Sequence, residues 1–204
     1  MPTDPTRGDY FADADAVRTD PAAGITRDRA GTRLLGLADD FLAALHQTAE
    51  AACGAAAGRV LKAAGREWGR GLARRLAAEL AEFRGEPLTD APVARFQADL
   101  QSAFRHLGWG VLTLDFNRYD KGLLVAEVRH SPPGAAAEAL LAGALAGLFS
   151  QFAGQELDAV ATPAGLDLRR YVIALPERLD RVADALHRRR PHAEVVAELE
   201  EIRV

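Results

Sequence analysis

The sequence predicts an α+β domain: an antiparallel four-stranded sheet, made of two hairpins, packed against long alanine-rich helices. Apolar residues recur at three- and four-residue spacing over most of the 204-residue chain, which is typical of amphipathic helices. In residues 108–132 and 157–175 the spacing alternates and turn residues lie at the middle, which is typical of hairpins. Strands in adjacent pairs favour an antiparallel sheet, and we expect helices to cover one of its faces.

The chain divides near residue 30. Residues 1–30 are rich in Asp, Pro, Thr, Gly and Arg and lack a sustained period, so a flexible N-terminal tail is predicted. Residues 31–204 are predicted to form a single α+β domain, long enough to bury a sizeable core. Within the tail, Tyr10 and Phe11 are either an incidental apolar spot or a short segment that docks on a partner.

Helices are predicted before, between and after the hairpins. Residues 34–56 and 61–80 place apolar side chains on one helix face, with a break near Gly54 because glycine weakens helix interiors. Glycines at positions 65, 69 and 71 favour either tight helix packing or a subunit interface, and an equal alternative is that they reflect only the alanine-rich composition of the chain. Further helices are predicted over residues 93–107 and 141–152 and after residue 176.

The first hairpin is the most informative stretch of the chain. Leu112, Leu114 and Phe116 face one side of its first strand, and residues 117–122 form the turn. The return strand is expected to end before Pro132, because proline cannot continue a strand ladder.

Composition excludes several classes of protein. The net charge of −4 argues against a basic nucleic-acid-binding surface. No apolar run approaches the roughly 20 residues that cross a bilayer, and no signal peptide is recognisable, so a cytoplasmic protein without a membrane span is expected. The single cysteine, Cys53, cannot form an intrachain disulfide and is interpreted as a small buried core residue.

The sequence holds no recognisable catalytic, cofactor or metal motif. It lacks a phosphate-binding loop, a dinucleotide fingerprint, a nucleophile elbow and a zinc-protease motif, and its five histidines are scattered. His130 and Ser131 are adjacent, so on a strand they point apart and make a poor nucleophile–base pair. Asp115 and Glu127 lie on neighbouring strands, where paired carboxylates would suit glycoside hydrolysis, the weakest hypothesis here. We expect a protein that is not an enzyme.

Five residues are candidate interface or ligand contacts. Trp68 and Trp109 are the two tryptophans; each is predicted to pack in a core or interface, with stacking on a sugar as the alternative. The full set is Trp68, Trp109, Tyr119, His130 and Phe149.

Four segments carry a family resemblance. Residues 60–69 resemble the helix that opens the BcsD family of bacterial cellulose synthase accessory proteins. Residues 107–116, the leucine-rich return strand that ends at His130 before a proline, and residues 141–152 are similar to the hairpin and following helix of that family. This resemblance implies an accessory scaffold that assembles as a homo-octamer and organises cellulose synthesis or glucan export. Its implied partners are further copies of the chain, from dimer to octamer, components of the cellulose synthase complex and glucan chains.

A second resemblance lies in the C-terminal half. Residues 145–157, followed by residues 170–173, resemble the vinyl-reductase-type ligand-binding domain, which is related to TRAPP-type trafficking subunits. Domains of that type often carry cysteines after the third strand, where residues 163–167 have none. This resemblance implies a TRAPP-like fold and a small-molecule-binding sensor or adaptor, usually dimeric. The scaffold is the leading hypothesis and the sensor is its alternative.

Overall fold

In the computed structural model, residues 10–11, 16–165 and 167–201 are described. The helices are α1 (Asp39–Cys53), α2 (Ala57–Arg84), α3 (Val93–His106), α4 (Gly134–Ala153), α5 (Pro176–Arg181), α6 (Ala183–His187) and α7 (His192–Glu201). The strands are β1 (Val17–Asp20), β2 (Ile25–Asp28), β3 (Arg33–Leu34), β4 (Val111–Asp115), β5 (Leu124–Arg129), β6 (Asp158–Thr162) and β7 (Leu168–Ala174).

The predicted four-stranded sheet is confirmed. Its strand order is β4–β5–β7–β6, and every neighbouring pair is antiparallel, so β4–β5 and β6–β7 are the two hairpins. The register places Thr113 opposite Glu127, Glu127 opposite Arg170, and Arg170 opposite Thr162. This polar row crosses one face of the sheet.

The inner face of the sheet packs against α2, α3 and α4. Leu112 and Leu114 of β4 alternate with residues that face outward, and Ala126 and Val128 do the same on β5. They share one core cluster with side chains from the helices, including the fully buried Leu80, Leu100, Phe104, Leu145 and Leu148. Each such large apolar side chain stabilises the fold by roughly 1.5–3 kcal/mol.

The outer face is also covered by helices, and the expectation of a single covered face is wrong. Leu123, Val125 and Val172 form a second buried cluster with side chains of α5, α6 and α7. Those helical side chains are Leu179, Val182, Ala185, Val195, Val196 and Leu199. The physical reason is that residues 123–126 are apolar without alternation, so both faces of the central strand must leave water.

Helices α2 and α4 cross with their backbones in close contact. A Cβ atom added at Gly65 or Gly69 of α2 would overlap a backbone carbonyl of α4, and one added at Gly143 or Gly147 would overlap a carbonyl of α2. A Cβ atom at Gly71 would meet open space. Of the three interpretations of the α2 glycines, tight packing within the chain therefore applies to positions 65 and 69.

Residues 17–34 form an antiparallel three-stranded unit that the sequence prediction lacks, since it assigned most of this stretch to the tail. Gly24, with φ of +65°, closes the first turn, and the Asp20 carboxylate accepts from the backbone N–H of Ala22 and Ala23, both at 3.0 Å. Tyr10 is buried against Phe83, with 5.2 Å between ring centroids, so the aromatic pair packs on its own domain. Residues 1–9 and 12–15 lie outside the described residues, and flexibility of the tail stays a prediction.

Helix α1 lies on the surface. None of its described side chains is buried, and Leu35, Leu37 and Phe41 near its N-terminus are 74%, 57% and 46% exposed. Cys53 at its C-terminus is exposed too, so its interpretation as a core residue is wrong. Its neighbours Ala51, Ala52, Gly54 and Ala55 are exposed as well, and such small residues present little apolar area to bury.

Among the described helices, α4 alone is long and apolar enough to cross a membrane, at 20 residues, so the expectation that no apolar run approaches that length is wrong. Of its most apolar 18-residue stretch, 67% is buried inside the fold, and the core helix of a folded domain can be equally long and apolar.

Candidate ligand-binding cavity

A half-open cavity of about 690 Å³ lies between the N-terminal end of α3, the β4–β5 connection, the C-terminal end of α4 and the end of β7. Its lining is mainly aromatic and aliphatic. The lining residues are Thr89, Ala91, Val93, Phe96, Phe116, Tyr119, Asp120, Gly122, Leu123, Leu124, Phe149, Phe152, Ala153, Gln155, Leu157 and Ile173. The volume is in the range of small-molecule sites, about 300–1,000 Å³.

The β4–β5 connection, residues 116–123, is shaped by polar groups within and beside it. The Asp115 carboxylate accepts from the Asn117 N–H at 2.9 Å, and a single helical turn follows over Tyr119–Lys121. Gly122, with φ of +66°, ends that turn in the left-handed conformation that glycine adopts without strain. The chain therefore reverses so that Phe116 and Tyr119 lie over the cavity.

The floor of the cavity is apolar, and its mouth carries polar side chains beside the exposed Val93 and Ala153. Leu123, Leu124, Phe149 and Ile173 are each at most 5% exposed and form the floor. Thr89, Tyr119, Asp120 and Gln155 also line it but are exposed, so they lie at the mouth. A molecule bound here would bury an apolar body and keep a polar end near water.

Aromatic rings follow one another along the wall. Phe96 contacts Phe152 with centroids 5.3 Å apart and an interplanar angle of 75°. It also meets Phe116 at 6.3 Å and 73°, and Phe116 meets Tyr119 at 6.2 Å and 61°. Edge-to-face contact is the geometry that aromatic rings prefer, so a ligand ring that reached this wall could pack in the same way.

The opposite rim, residues 155–158, is fixed by α2 and α4. Arg66 donates to the Leu157 carbonyl at 2.8 Å and to the Asp158 carboxylate at 2.5 Å, and it also pairs with Glu156. The Ser150 hydroxyl accepts from the Leu157 N–H at 2.9 Å. This rim is therefore held to the helical layer by side chains that do not line the cavity.

The structure brings two of the five candidate contacts into the cavity, Tyr119 and Phe149. Trp68 and Trp109 instead pack on each other, with ring centroids 5.4 Å apart. His130 is exposed, has φ of 54°, and lies beside Gly110 at the other end of the β4–β5 hairpin from Tyr119. The candidate contacts therefore form no single site, and roles for the tryptophans and His130 stay predictions.

Three of the residues considered for catalysis, Asp115, Glu127 and Ser131, each bind an arginine side chain. Arg118 binds Asp115 at 3.0 Å, Arg170 binds Glu127 at 2.7 Å, and the Arg169 Nε donates to the Ser131 hydroxyl at 2.9 Å. Within the described residues, no group of three or more His, Cys, Asp or Glu could hold a metal ion.

His192, at the start of α7, is partly buried beside β6. Its Nδ1 lies 2.7 Å from the Thr162 hydroxyl. Burial lowers its pKa, Arg170 and Arg118 lower it further, and Glu127 opposes them. The folded chain therefore disfavours the imidazolium form.

Protonation of His192 is expected to destabilise the fold. The unfolded chain binds this proton near the ordinary pKa of about 6.5, whereas the folded chain binds it only at lower pH. The free energy of unfolding should therefore fall as the pH drops through 6.5 toward the folded-state pKa. Urea unfolding between pH 5 and 8 measures this slope, which should be smaller in His192→Gln. Equal slopes in both proteins would contradict the assignment, and His130→Gln, at an exposed position, is the matched control.

Comparison with known proteins identifies the fold. No protein-family model and no curated protein matches the chain. Its structure is similar to the phenol-responsive sensory domain of the transcription activator PoxR, crystallised with phenol, with a TM-score of 0.62, 17% identity, and coverage of 92% of this chain and 99% of that one. It is also similar to trafficking protein particle complex subunit 3 from Naegleria fowleri, covalently bound to palmitic acid, with a TM-score of 0.47, 12% identity, and coverage of 67% and 93%.

The chain thus has the α+β, TRAPP-like fold that the second resemblance implied. At 17% identity the likeness shows the fold and not the activity. Nothing in these comparisons bears on cellulose synthesis or on the BcsD family, so that resemblance and the homo-oligomer stay predictions.

Proposed function

We propose that this chain is a small-molecule-binding sensor or adaptor domain whose ligand is a compact aromatic molecule with one polar substituent. The observation that carries the proposal is the cavity of about 690 Å³, with an apolar floor and polar side chains among the residues at its mouth. The likeness to a phenol-responsive sensory domain supports it, because the same fold there serves recognition of a small aromatic molecule.

The lining favours an aromatic ligand over an aliphatic one. Five of the residues around the cavity carry aromatic rings, namely Phe96, Phe116, Tyr119, Phe149 and Phe152. Edge-to-face contacts contribute about 0.5–1.5 kcal/mol each beyond the burial of apolar area. An aliphatic chain would gain the burial term without these contacts.

The lining also favours binding without chemical conversion. Among the described residues that line the cavity, none is His, Cys, Ser or Lys, and the single carboxylate, Asp120, is exposed at the mouth. Nucleophilic and general-base catalysis depend mainly on such groups, held at defined distances. We therefore propose a protein that is not an enzyme and whose output is a change of conformation or of partner.

Calorimetric titration with 2-naphthol tests this function. The two fused rings of 2-naphthol fit the cavity, and its hydroxyl can reach the polar side chains at the mouth. We expect a Kd of about 100 µM, which corresponds to a binding free energy of roughly 0.5 kcal/mol per non-hydrogen atom. Ala153→Trp places a large side chain at the mouth and should weaken binding at least about tenfold. Ala43→Trp, at an exposed position on α1, is the matched control and should bind as wild type does.

Two outcomes would contradict the proposal. One is equal binding of 2-naphthol by wild type and Ala153→Trp, which would place the molecule outside the cavity. The other is binding of dodecanoate but not of 2-naphthol, which would replace the aromatic ligand by an acyl chain. Melting curves of both tryptophan variants show whether each remains folded.

A further inference from the structure

The β4–β5 connection contacts two parts of the molecule at once. Tyr119, Asp120 and Gly122 line the cavity, while Arg118 and Lys121 reach toward the C-terminal helix α7. The cavity lies against the helical layer on the inner face of the sheet, whereas α7 packs on the outer face. The connection therefore links a surface that a ligand would touch with a helix that the ligand cannot reach.

Glu200 on α7 is the acceptor for both cations of the connection. The Lys121 Nζ donates to Glu200 Oε2 at 2.8 Å, and the Arg118 Nε donates to Glu200 Oε1. Hydrogen bonds from Lys121 and Arg118 lower the pKa of Glu200, so its carboxylate stays ionised at neutral pH. One side chain of α7 thus holds two positions of the connection.

Arg178 of α5 makes a second link, and it is 2% exposed. Its Nη1 donates to the Lys121 carbonyl and its Nη2 donates to the Leu199 carbonyl on α7. A Cβ atom at Gly122 would lie 3.1 Å from that Nη1, so the cavity-lining glycine lies directly against the guanidinium. The guanidinium thus joins the connection to the last turn of α7 through two backbone carbonyls.

Leu123 links the cavity to α7 by a third contact, which is apolar. It lines the cavity, is 1% exposed, and belongs to the buried cluster that contains Val195, Val196 and Leu199 of α7. A ligand that presses on Leu123 therefore presses on the residues against which α7 packs. Close-packed interiors transmit such displacements, since they have few voids to absorb them.

We propose that α7 responds to the binding of a molecule in the cavity, and that residues 118–123 of the connection transmit the response. Glu200 and Arg178 make the two polar contacts of this coupling, and Leu123 makes the apolar one. This inference rests on the proposed function for the identity of the ligand, but the coupling between connection and helix exists without it. Coupling between two sites is reciprocal, so a change at α7 must alter the connection as ligand alters α7.

Hydrogen exchange on the full chain tests the coupling in two arms. Without ligand, Glu200→Lys places a cation against Arg118 and Lys121, so exchange of the amides of residues 118–123 should rise about threefold to tenfold. Glu198→Lys is the matched control, because Glu198 pairs with Arg190, at 2.6 Å, and not with the connection. With 2-naphthol bound, exchange over residues 192–201 should fall by a similar factor in wild type and change less in Glu200→Lys.

The two arms separate failure of the coupling from failure of the proposed function. Unchanged exchange at residues 118–123 in Glu200→Lys would overturn the coupling whether or not a ligand binds. Binding of 2-naphthol with no change over residues 192–201 would overturn it as well. Absence of 2-naphthol binding would contradict the proposed ligand, and the ligand-free arm alone would then decide on the coupling.

Discussion

Gly69→Ala is expected to lower the free energy of unfolding by about 3 kcal/mol, although alanine is the better helix former by about 1 kcal/mol. The added methyl group would overlap the backbone carbonyl of Ala144, and backbone atoms cannot rotate aside as a side chain can. Helices α2 and α4 would have to separate along the whole crossing, which also buries Gly65, Gly143 and Gly147. Urea unfolding followed by far-UV circular dichroism measures the loss.

Gly71→Ala is the matched control for this prediction. It lies on the same helix, and its new methyl group would meet open space. We expect Gly71→Ala to raise the free energy of unfolding by up to about 1 kcal/mol through helix propensity alone. Equal effects of the two substitutions would contradict the close crossing. Since α4 also carries Phe149 and Phe152, Gly69→Ala should distort the cavity as well.

Arg178→Met is expected to lower the free energy of unfolding by about 2 kcal/mol. Methionine keeps the apolar length of the side chain but removes the donors to the Lys121 and Leu199 carbonyls. The Leu199 carbonyl lies in the last turn of α7, where carbonyls lack partners within the helix. Burial lowers the pKa of Arg178, and Arg181 lowers it further, so the buried charge is unfavourable. Methionine removes this cost, which offsets part of the lost free energy of unfolding.

Arg181→Met on the same helix is the control, because Arg181 is exposed. Its free energy of unfolding should stay within about 0.5 kcal/mol of wild type. Arg178→Lys should not restore stability, since one ammonium group cannot reproduce the fork that joins two carbonyls. Wild-type stability in Arg178→Met would show that the buried guanidinium does not hold α7 in place.

The strands and helices were predictable because the periodicity of their apolar residues is clear. Leu112 and Leu114 alternate with Val111, Thr113 and Asp115, and the structure buries both leucines on the inner face. The covering of the outer face was missed, although the uninterrupted apolar run at residues 123–126 is typical of a strand buried on both sides. Strands β1 and β2 were missed because they are short and polar, with only the turn at Gly24 to mark them.

The candidate site was predictable only in part. Tyr119 and Phe149 were selected, but Phe96, Phe116 and Phe152 were not, since a phenylalanine that lines a cavity follows the same period as one that fills a core. Trp68 and Trp109 were equal candidates by sequence, whereas in the structure the two rings pack against each other. A cavity is the space that tertiary packing leaves unfilled, and no local pattern of residues encodes it.

The central claim is that an aromatic molecule binds between α3, α4 and the β4–β5 connection. Isotope-filtered NOE measurements on the labelled full chain with unlabelled 2-naphthol test it most directly. We predict contacts from the naphthol ring protons to Phe149, Leu124 and Ile173, the buried floor of the cavity. Contacts to Trp68 or Trp109 without any to that floor, or no contacts at saturating 2-naphthol, would contradict the claim.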